Sequence, residues 1–155
     1  MNNHAQILQA LGDKGLTLGS AESLTAGLFA AKVCDVPGAS AVFKGAIVAY
    51  DPAIKEKLLK VRKETIETNG VVSHQVASEM AYGGAKALGV DICVSCTGNA
   101  GPTAQEGEAK VGDVYLGLYY QGNVWTIPLS LEGDREQIRK ATAEAMFTFV
   151  ASLLR

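Results

Sequence analysis

Strand-like and helix-like runs alternate along this chain, with no linker, low-complexity tract or repeat between them. Such alternation favours an α/β domain in which helices cover a central sheet. The 155 residues fit one domain with an ordinary hydrophobic core, spanning residues 1–155. We therefore predict a three-layer α/β/α fold with a mixed, mostly parallel sheet and one antiparallel hairpin.

The bounds of the elements follow from turn signals and from the period of the apolar residues. Strands are predicted over residues 16–21, 41–50, 90–96, 113–120 and 124–130, and the short connection 121–123 predicts that the last two form the hairpin. Helices are predicted over residues 3–13, 24–34, 51–59 and 73–88, and a final helix begins at a capping box of Asp134 and Gln137. Gly83 and Gly84 predict a close approach of another backbone, which a subunit contact would supply.

Composition and charge exclude several classes of function. With 14 basic and 16 acidic residues the formal net charge is −2, so the chain has no general field to hold nucleic acid. The polar N-terminal residues 1–10 lack the features of a signal peptide, and no stretch is long and apolar enough to be a membrane span. We expect a cytoplasmic protein with neither nucleic acid nor a membrane as partner, assembled as a homo-oligomer as enzymes of this size often are.

The cysteines and histidines do not predict a metal or redox site. Three cysteines are an odd number and a sparse set, which argues against a disulfide framework. Cys93 and Cys96 form a C-x-x-C, but on a strand residues three apart point to opposite faces, so the pair is expected to be inert core. Only His4 and His74 are available as imidazole ligands. No metal and no cofactor are therefore expected.

Two segments bring together a serine and a lysine that could act as nucleophile and base. Ser23 lies at a strand-to-helix turn, where backbone N–H groups could stabilise an oxyanion or bind phosphate. Tyr50 ends a strand, and Lys55 lies about one turn into the next helix. A desolvated lysine can serve as the base that a serine nucleophile needs. Read alone, Ser23 or Thr25 could instead only cap the helix, and Lys55 could be an ordinary solvated lysine.

A third segment has small residues that let backbone amides approach a ligand. Thr97 to Pro102 reads T-G-N-A-G-P and follows a buried strand. A tight structural turn is the alternative, and no Gly-Lys-Ser/Thr follows as it would in a Walker loop.

Five ordered motifs resemble the CinA-like C-terminal domain family over essentially the whole chain. They are A-E-S-x-T-x-G at Ala21 to Gly27, F-x-x-x-x-V-x-Y with a lysine five residues on at Phe43 to Lys55, G-x-V-S followed by E-M-A at Gly70 to Ala81, T-G-x-A-G-P at Thr97 to Pro102, and G-D-R-x-x-I-R at Gly133 to Arg139. Members of this family act as nicotinamide mononucleotide deamidases. The resemblance implies hydrolysis of a carboxamide to carboxylate and ammonia, with a small pyridine nucleotide as partner.

The resemblance also implies roles for individual residues. Ser23 would be the nucleophile, Lys55 its base, and Tyr50 would assist proton transfer or positioning. Two loops would share the oxyanion and 5′-phosphate contacts, in an order that the sequence leaves open. Their residues are Thr25, Ala26 and Gly27 in the first loop, and Thr97, Gly98, Asn99, Ala100 and Gly101 in the second.

The chain departs from the family pattern at several positions, and these keep two other functions open. The departures are Ala46, Asp51 after the tyrosine, Asn99 where an apolar residue is usual, and Ala109-Lys110 where the family has lysine-proline. A lysine that contacts phosphate would be displaced by one place at Lys110. The alternatives are a non-catalytic nucleotide-binding module and an amidase for another small carboxamide.

Overall fold

A five-stranded sheet forms the middle layer of the structure, a computed structural model that describes residues 3–104 and 106–155. Its strands lie in the order β2-β1-β3-β4-β5, with β1 parallel to β2 and β3, and β4 antiparallel to β3 and β5. Four of the five strands therefore run in one direction, and the predicted mixed, mostly parallel sheet with one hairpin is confirmed. The strands are β1 (Leu18–Glu22), β2 (Phe43–Val48), β3 (Ile92–Gly98), β4 (Asp113–Tyr120) and β5 (Asn123–Ser130).

Within the described residues, six α-helices cover the two faces of this sheet and complete the predicted three layers. One face packs against α1 (His4–Asp13), α2 (Leu28–Cys34) and α6 (Arg135–Ala151), around a core that includes Phe29 and Met146. The other packs against α3 (Pro52–Leu59), α4 (Lys63–Asn69) and α5 (His74–Leu88), around Leu59 and Met80. Burial of each such large apolar side chain stabilises the fold by roughly 1.5–3 kcal/mol. In the part of the chain that the structure describes, the helices are too short or too polar to span a bilayer.

Helix caps fix the starts of the two helices that matter for the site. Asp51 caps α3 by accepting a hydrogen bond of 2.9 Å from the Ala53 N–H, and Pro52 takes the first helical position. The predicted capping box of Asp134 and Gln137 is present at the start of α6. These caps set Lys55 one turn into α3 and Arg135 at the first position of α6.

Two elements differ from the sequence prediction. The helix predicted to start at Leu24 starts at Leu28, because Ala26 and Gly27 adopt left-handed backbone angles, with φ of +48° and +95°, that end the preceding turn. Helix α4 was not predicted at all. It has seven residues, and among them only Thr65 is buried, so it lacks the apolar stripe by which a helix is read from sequence.

The close approach of another backbone that the paired glycines of α5 predict is confirmed at Gly83, and it occurs within the chain, whereas Gly84 lies against side chains. A Cβ placed on Gly83 would lie 1.8 Å from the Leu59 carbonyl oxygen, and one on Gly84 would lie 2.7 Å from Cys93 Sγ. Helix α3 therefore makes this backbone contact within the chain. Cys93 and Cys96 point into the two opposite cores, as predicted, and burial raises the pKa of their thiols to about 12 and about 11.

Candidate active site

A pocket of about 220 Å³ opens at the edge of the sheet where β1, β2 and β3 end. Loops that follow parallel strands converge at this edge, which is where open α/β sheets bind ligands. The segments after all three strands contribute to the pocket, and the start of α6 closes one side. The side chains that line it include Ser23, Tyr50, Lys55, Thr97, Asn99 and Arg135.

Ser23 and Lys55, which lie 32 residues apart in sequence, meet at the base of this pocket. Lys55 Nζ lies 2.8 Å from Ser23 Oγ. It also donates to the carbonyl oxygens of Ala49 at 2.9 Å and Tyr50 at 3.1 Å. A neutral amine has two N–H groups and one lone pair. With both N–H groups held by the carbonyls, the lone pair is left to face the serine hydroxyl.

Burial favours the neutral form of this amine. Lys55 is 1% exposed, and desolvation lowers the pKa of its ammonium from 10.5 to about 8. Cys96 and the Asp51 carboxylate oppose this shift and raise the pKa. Neither of them bonds to the amine, whose three recorded partners within the described residues are neutral oxygens. The lysine is thus a buried base beside a buried hydroxyl.

The buried Glu22 side chain builds the turn that presents Ser23. Its carboxylate is fully buried at the start of α2, so it lies where backbone N–H groups point toward negative charge. Its five donors are the hydroxyls of Ser20 and Thr25, at 2.8 and 2.7 Å, and the backbone N–H groups of Gly27, Phe29 and Ala30, each at 3.1 Å. The N–H groups at this helix start are therefore bound to the chain's own side chain.

Arg139 holds the same turn from the side of α6. Its guanidinium donates to the carbonyl oxygens of Leu24 at 2.8 Å and Thr25 at 3.0 Å. The Ala26 N–H donates to the Ser23 carbonyl oxygen at 2.9 Å. Together with Glu22, these contacts hold the residues after the serine in one conformation.

Asn99 holds the loop that follows β3. Its amide nitrogen donates to the carbonyl oxygens of Thr103 at 3.2 Å and Ala109 at 2.9 Å, and its amide oxygen accepts from the Gly101 N–H at 2.9 Å. All three groups lie within the loop, so the amide acts as an internal clamp. The backbone N–H of Lys110 donates to Asp113 Oδ2 at 3.2 Å, and the Lys110 side chain is exposed.

A contact between Arg135 and Tyr50 lies at the mouth of the pocket. The guanidinium donates to the Tyr50 hydroxyl at 2.9 Å and also to the Gly101 carbonyl oxygen. The Tyr50 side chain is 57% exposed, and its hydroxyl bonds to Arg135 while its carbonyl oxygen bonds to Lys55. Arg135 brings a positive charge to the pocket.

The structure brings most, but not all, of the predicted site residues together. Ser23, Tyr50 and Lys55 line the pocket with Thr97, Gly98, Asn99 and Ala100. Gly101 contributes its carbonyl to Arg135. Thr25, Ala26 and Gly27 lie outside this lining, with the Thr25 hydroxyl and the Gly27 N–H bound to Glu22.

Five pocket residues were not among the predicted site residues, and two of them, Leu24 beside Ser23 and Pro52 at the start of α3, adjoin segments that the sequence had singled out. Val71 and Val72 come from the segment before α5, and the Val71 carbonyl accepts the Thr97 hydroxyl at 2.9 Å. Arg135 comes from the start of α6. The motifs G-x-V-S and G-D-R-x-x-I-R contain Val71, Val72 and Arg135, so the family pattern indicated positions that the chemistry of single residues did not.

Fold and site together define a class: an α/β/α protein with a buried serine–lysine pair at the carboxyl edge of its sheet. The model of the CinA C-terminal domain matches residues 2–154. The chain therefore belongs to the CinA C-terminal domain family.

Individual relatives agree with this assignment. The chain is 46% identical over 148 residues to a CinA-like protein of Kosmotoga olearia. The matched region covers 96% of this chain and 36% of the relative. The chain thus spans about a third of the length of the curated relatives that it matches. Among solved structures, the competence/damage inducible protein CihA from Agrobacterium tumefaciens superposes with a TM-score of 0.94 at 32% identity, covering 98% of this chain and 93% of that one. The competence damage-inducible protein A (ComA) from Klebsiella pneumoniae superposes with a TM-score of 0.93 at 27% identity, covering 99% and 98%.

Proposed function

We propose that this chain is an amidohydrolase that converts nicotinamide mononucleotide to nicotinic acid mononucleotide and ammonia. The observation that carries this proposal is the buried Lys55 amine, 2.8 Å from Ser23 Oγ, with a pKa lowered to about 8. A serine hydroxyl is a weak nucleophile until a base takes its proton, and this amine is placed to do so. The resemblance to nicotinamide mononucleotide deamidases supports the choice of substrate.

Attack by Ser23 begins the reaction. The neutral Lys55 amine takes the hydroxyl proton as Ser23 Oγ bonds to the amide carbon, which gives a tetrahedral intermediate with a negative oxygen. The resulting Lys55 ammonium then donates its proton to the amide nitrogen as the C–N bond breaks. Ammonia leaves, and the acyl group remains as an ester on Ser23.

Hydrolysis of this ester restores the enzyme. Lys55, neutral again, takes a proton from a water molecule as the water oxygen attacks the ester carbon. The second tetrahedral intermediate collapses when the C–O bond to Ser23 breaks and Lys55 returns the proton to Ser23 Oγ. The carboxylic acid so formed loses its proton to solvent to give the carboxylate, and one water is consumed for each ammonia released.

The backbone N–H groups of Leu24 and Ala100 are our candidates for the donors that stabilise the oxyanion. Both residues line the pocket. Within residues 3–104 and 106–155, neither N–H is recorded in a hydrogen bond, whereas the N–H groups of Asn99 and Gly101 already donate to Asp113 O and Asn99 Oδ1. Loss of one oxyanion donor typically costs about 10²–10³ in kcat.

Arg135 is our candidate for the contact to the 5′-phosphate. Its guanidinium lines the catalytic pocket and is bound to the uncharged Tyr50 hydroxyl and Gly101 carbonyl rather than to a carboxylate. A guanidinium can bind two phosphate oxygens at once, and such charged contacts are the stronger hydrogen bonds. Lys110, with its exposed side chain outside the lining, is a weaker candidate for this contact.

The deciding experiment measures ammonia and nicotinic acid mononucleotide released by the wild type and by Ser23→Ala and Lys55→Met. We expect turnover in the wild type and a loss of about 10²–10⁴-fold or more on removal of the base. Ser78→Ala and Lys57→Gln are the matched controls, since both lie outside the pocket, and they should keep wild-type rates. If the wild type binds the nucleotide without releasing ammonia, the chain is a nucleotide-binding module and the proposal fails.

A further inference from the structure

A second cavity lies between the end of α3 and the middle of α5, away from the catalytic pocket. This α3–α5 groove has a volume of about 660 Å³ and a mostly apolar lining that shares no residue with the catalytic pocket. Its size is within the range of small-molecule sites. The residues that matter here are Leu58, Lys60, Arg62, Glu79, Tyr82 and Lys86.

The groove exposes large apolar side chains to solvent. Leu58 is 44% exposed and Tyr82 is 51% exposed. The floor is formed where Gly83 lets α5 approach the Leu59 carbonyl, so the two helices meet there without side chains between them. An apolar body placed in this groove would cover Leu58 and Tyr82 and remove their apolar surface from water.

The charge around the groove has the opposite sign to that of the whole chain. The lining contains three cations, Lys60, Arg62 and Lys86, and a single carboxylate, Glu79, so it carries a formal charge of +2, whereas the whole chain carries −2. Glu79 is already bound by the Arg62 N–H at 2.7 Å and by the Thr65 hydroxyl. The carboxylate also forms an ion pair with the Arg62 guanidinium at 3.4 Å, and within the described residues neither Lys60 nor Lys86 forms a salt bridge with it.

Aromatic rings, and not a carboxylate, hold one of these cations in place. Lys86 Nζ lies 5.2 Å from the centre of the Tyr82 ring and 5.1 Å from that of Tyr119, and it bonds to the Tyr119 hydroxyl at 3.2 Å. An ammonium fixed in this way keeps its full charge while leaving room for an anion. Lys60 similarly has only the Lys57 carbonyl, at 3.3 Å, as its recorded partner in the described residues.

We propose that the α3–α5 groove binds a small amphipathic anion, with the apolar body on Leu58 and Tyr82 and the acidic group between Lys60 and Lys86. The apolar floor selects a hydrocarbon or aromatic body, and the two lysines without a carboxylate partner select negative charge. The occupant is a free small molecule, distinct from the substrate of the catalytic pocket.

The test uses two amphiphiles of equal chain length and opposite charge, decanoate and decyltrimethylammonium, each below its micelle concentration. Binding to the wild-type chain is followed by the amide shifts of Tyr82, Gly83 and Lys86 in ¹⁵N NMR spectra. We expect decanoate to bind about tenfold more tightly than the cation, with shifts confined to the groove. Lys86→Gln should weaken decanoate about fivefold, while Lys14→Gln, which removes the same charge from an exposed site on the other side of the sheet, should not.

Three results would overturn the proposal. Equal binding of the two amphiphiles would show an apolar patch without charge selection. Decanoate shifts centred on Ser23 and Lys55 would assign the anion to the catalytic pocket. Shifts of the groove amides that depend on protein concentration alone would assign the groove to a contact with a second copy.

Discussion

The rate at which Ser23 reacts should depend on pH through the ionisation of Lys55. Only the neutral amine can take the serine proton, and burial lowers the pKa of Lys55 from 10.5 to about 8. At pH 7 the neutral fraction is then about a tenth, against about 0.03% for an unperturbed lysine, so burial raises it by about 300-fold. The rate should therefore rise about tenfold between pH 7 and pH 9 and level off above that.

Labelling of Ser23 by a fluorophosphonate, followed by intact-protein mass spectrometry, measures this dependence without assuming a substrate. The logarithm of the labelling rate should rise with unit slope below pH 8 and reach a plateau above it. Lys57→Gln, an exposed lysine on the same helix, should give the same profile. A rate that is independent of pH, or one that still climbs above pH 10, would refute the role given to the buried amine.

Asp51 offers a sharper test of the same reasoning. Its carboxylate raises the pKa of Lys55, and its side chain also caps α3. Asn is as good a cap as Asp, so Asp51→Asn removes the charge while the helix start is kept. The pH at which the labelling rate reaches half of its plateau should be lower than in the wild type. The rate at pH 7 should therefore be higher, with an unchanged plateau. A move to higher pH would contradict the electrostatic assignment.

The free energy of unfolding should also depend on pH through the lowered pKa of Lys55. In the unfolded chain Lys55 has its ordinary pKa of 10.5, so between about pH 8 and 10.5 the unfolded state binds more protons than the native state. The free energy of unfolding should therefore rise across that window, by up to about 3 kcal/mol, relative to Lys55→Met. Urea unfolding of both proteins at pH 7.5 and pH 10 measures the difference.

Three further substitutions test the supports of the site. Glu22→Gln replaces the carboxylate at the start of α2 with an amide and should destabilise the fold by about 2–3 kcal/mol, measured as a lower Tm. A loss of stability below about 0.5 kcal/mol would count against the role given to the carboxylate. Gly83→Ala places a Cβ against the Leu59 carbonyl and should cost more than about 2 kcal/mol in urea unfolding, unlike Ser78→Ala on the same helix, where the serine is half-buried and already carries a Cβ. Asn99→Ala removes the three hydrogen bonds that the Asn99 amide makes within its loop. It should raise KM for the nucleotide and speed amide hydrogen exchange in the loop. Unchanged hydrogen exchange would contradict the clamp.

The sequence was sufficient for the architecture because local signals and global fold agree. The cap at Asp51-Pro52 and the capping box at Asp134 are chemical features that act within a few residues, and both appear where predicted. The strand over Cys93 and Cys96 was likewise read from its apolar run. Helix α4 was missed because its stability comes from tertiary contacts, such as the Thr65 hydroxyl on Glu79, that leave no periodic pattern.

The site was predictable only as far as residue types suggest chemistry. Ser23 and Lys55 could be paired from the resemblance, yet the pairing itself depends on β1 and β2 ending side by side, a contact 32 residues apart in sequence. The pKa of Lys55 depends first on its burial and then on the neighbouring Cys96 and Asp51, and the burial and the contact with Cys96 are set by the tertiary fold rather than by any local sequence pattern. Sequence could nominate these residues, but only their three-dimensional surroundings give the amine its basicity.

The start of α2 shows why a helix N-terminus is an unreliable sign of a ligand site. The sequence has a serine, small residues and a helix start together, and these are the features of an anion-binding turn. The chain places its own anion there, because Glu22 lies fully buried and binds the N–H groups of Gly27, Phe29 and Ala30. An oxyanion or phosphate at the same N–H groups would have to displace a carboxylate with five donors. Glu22 therefore builds the turn that presents Ser23, and the substrate contacts that we propose are those of Leu24, Ala100 and Arg135, which line the pocket.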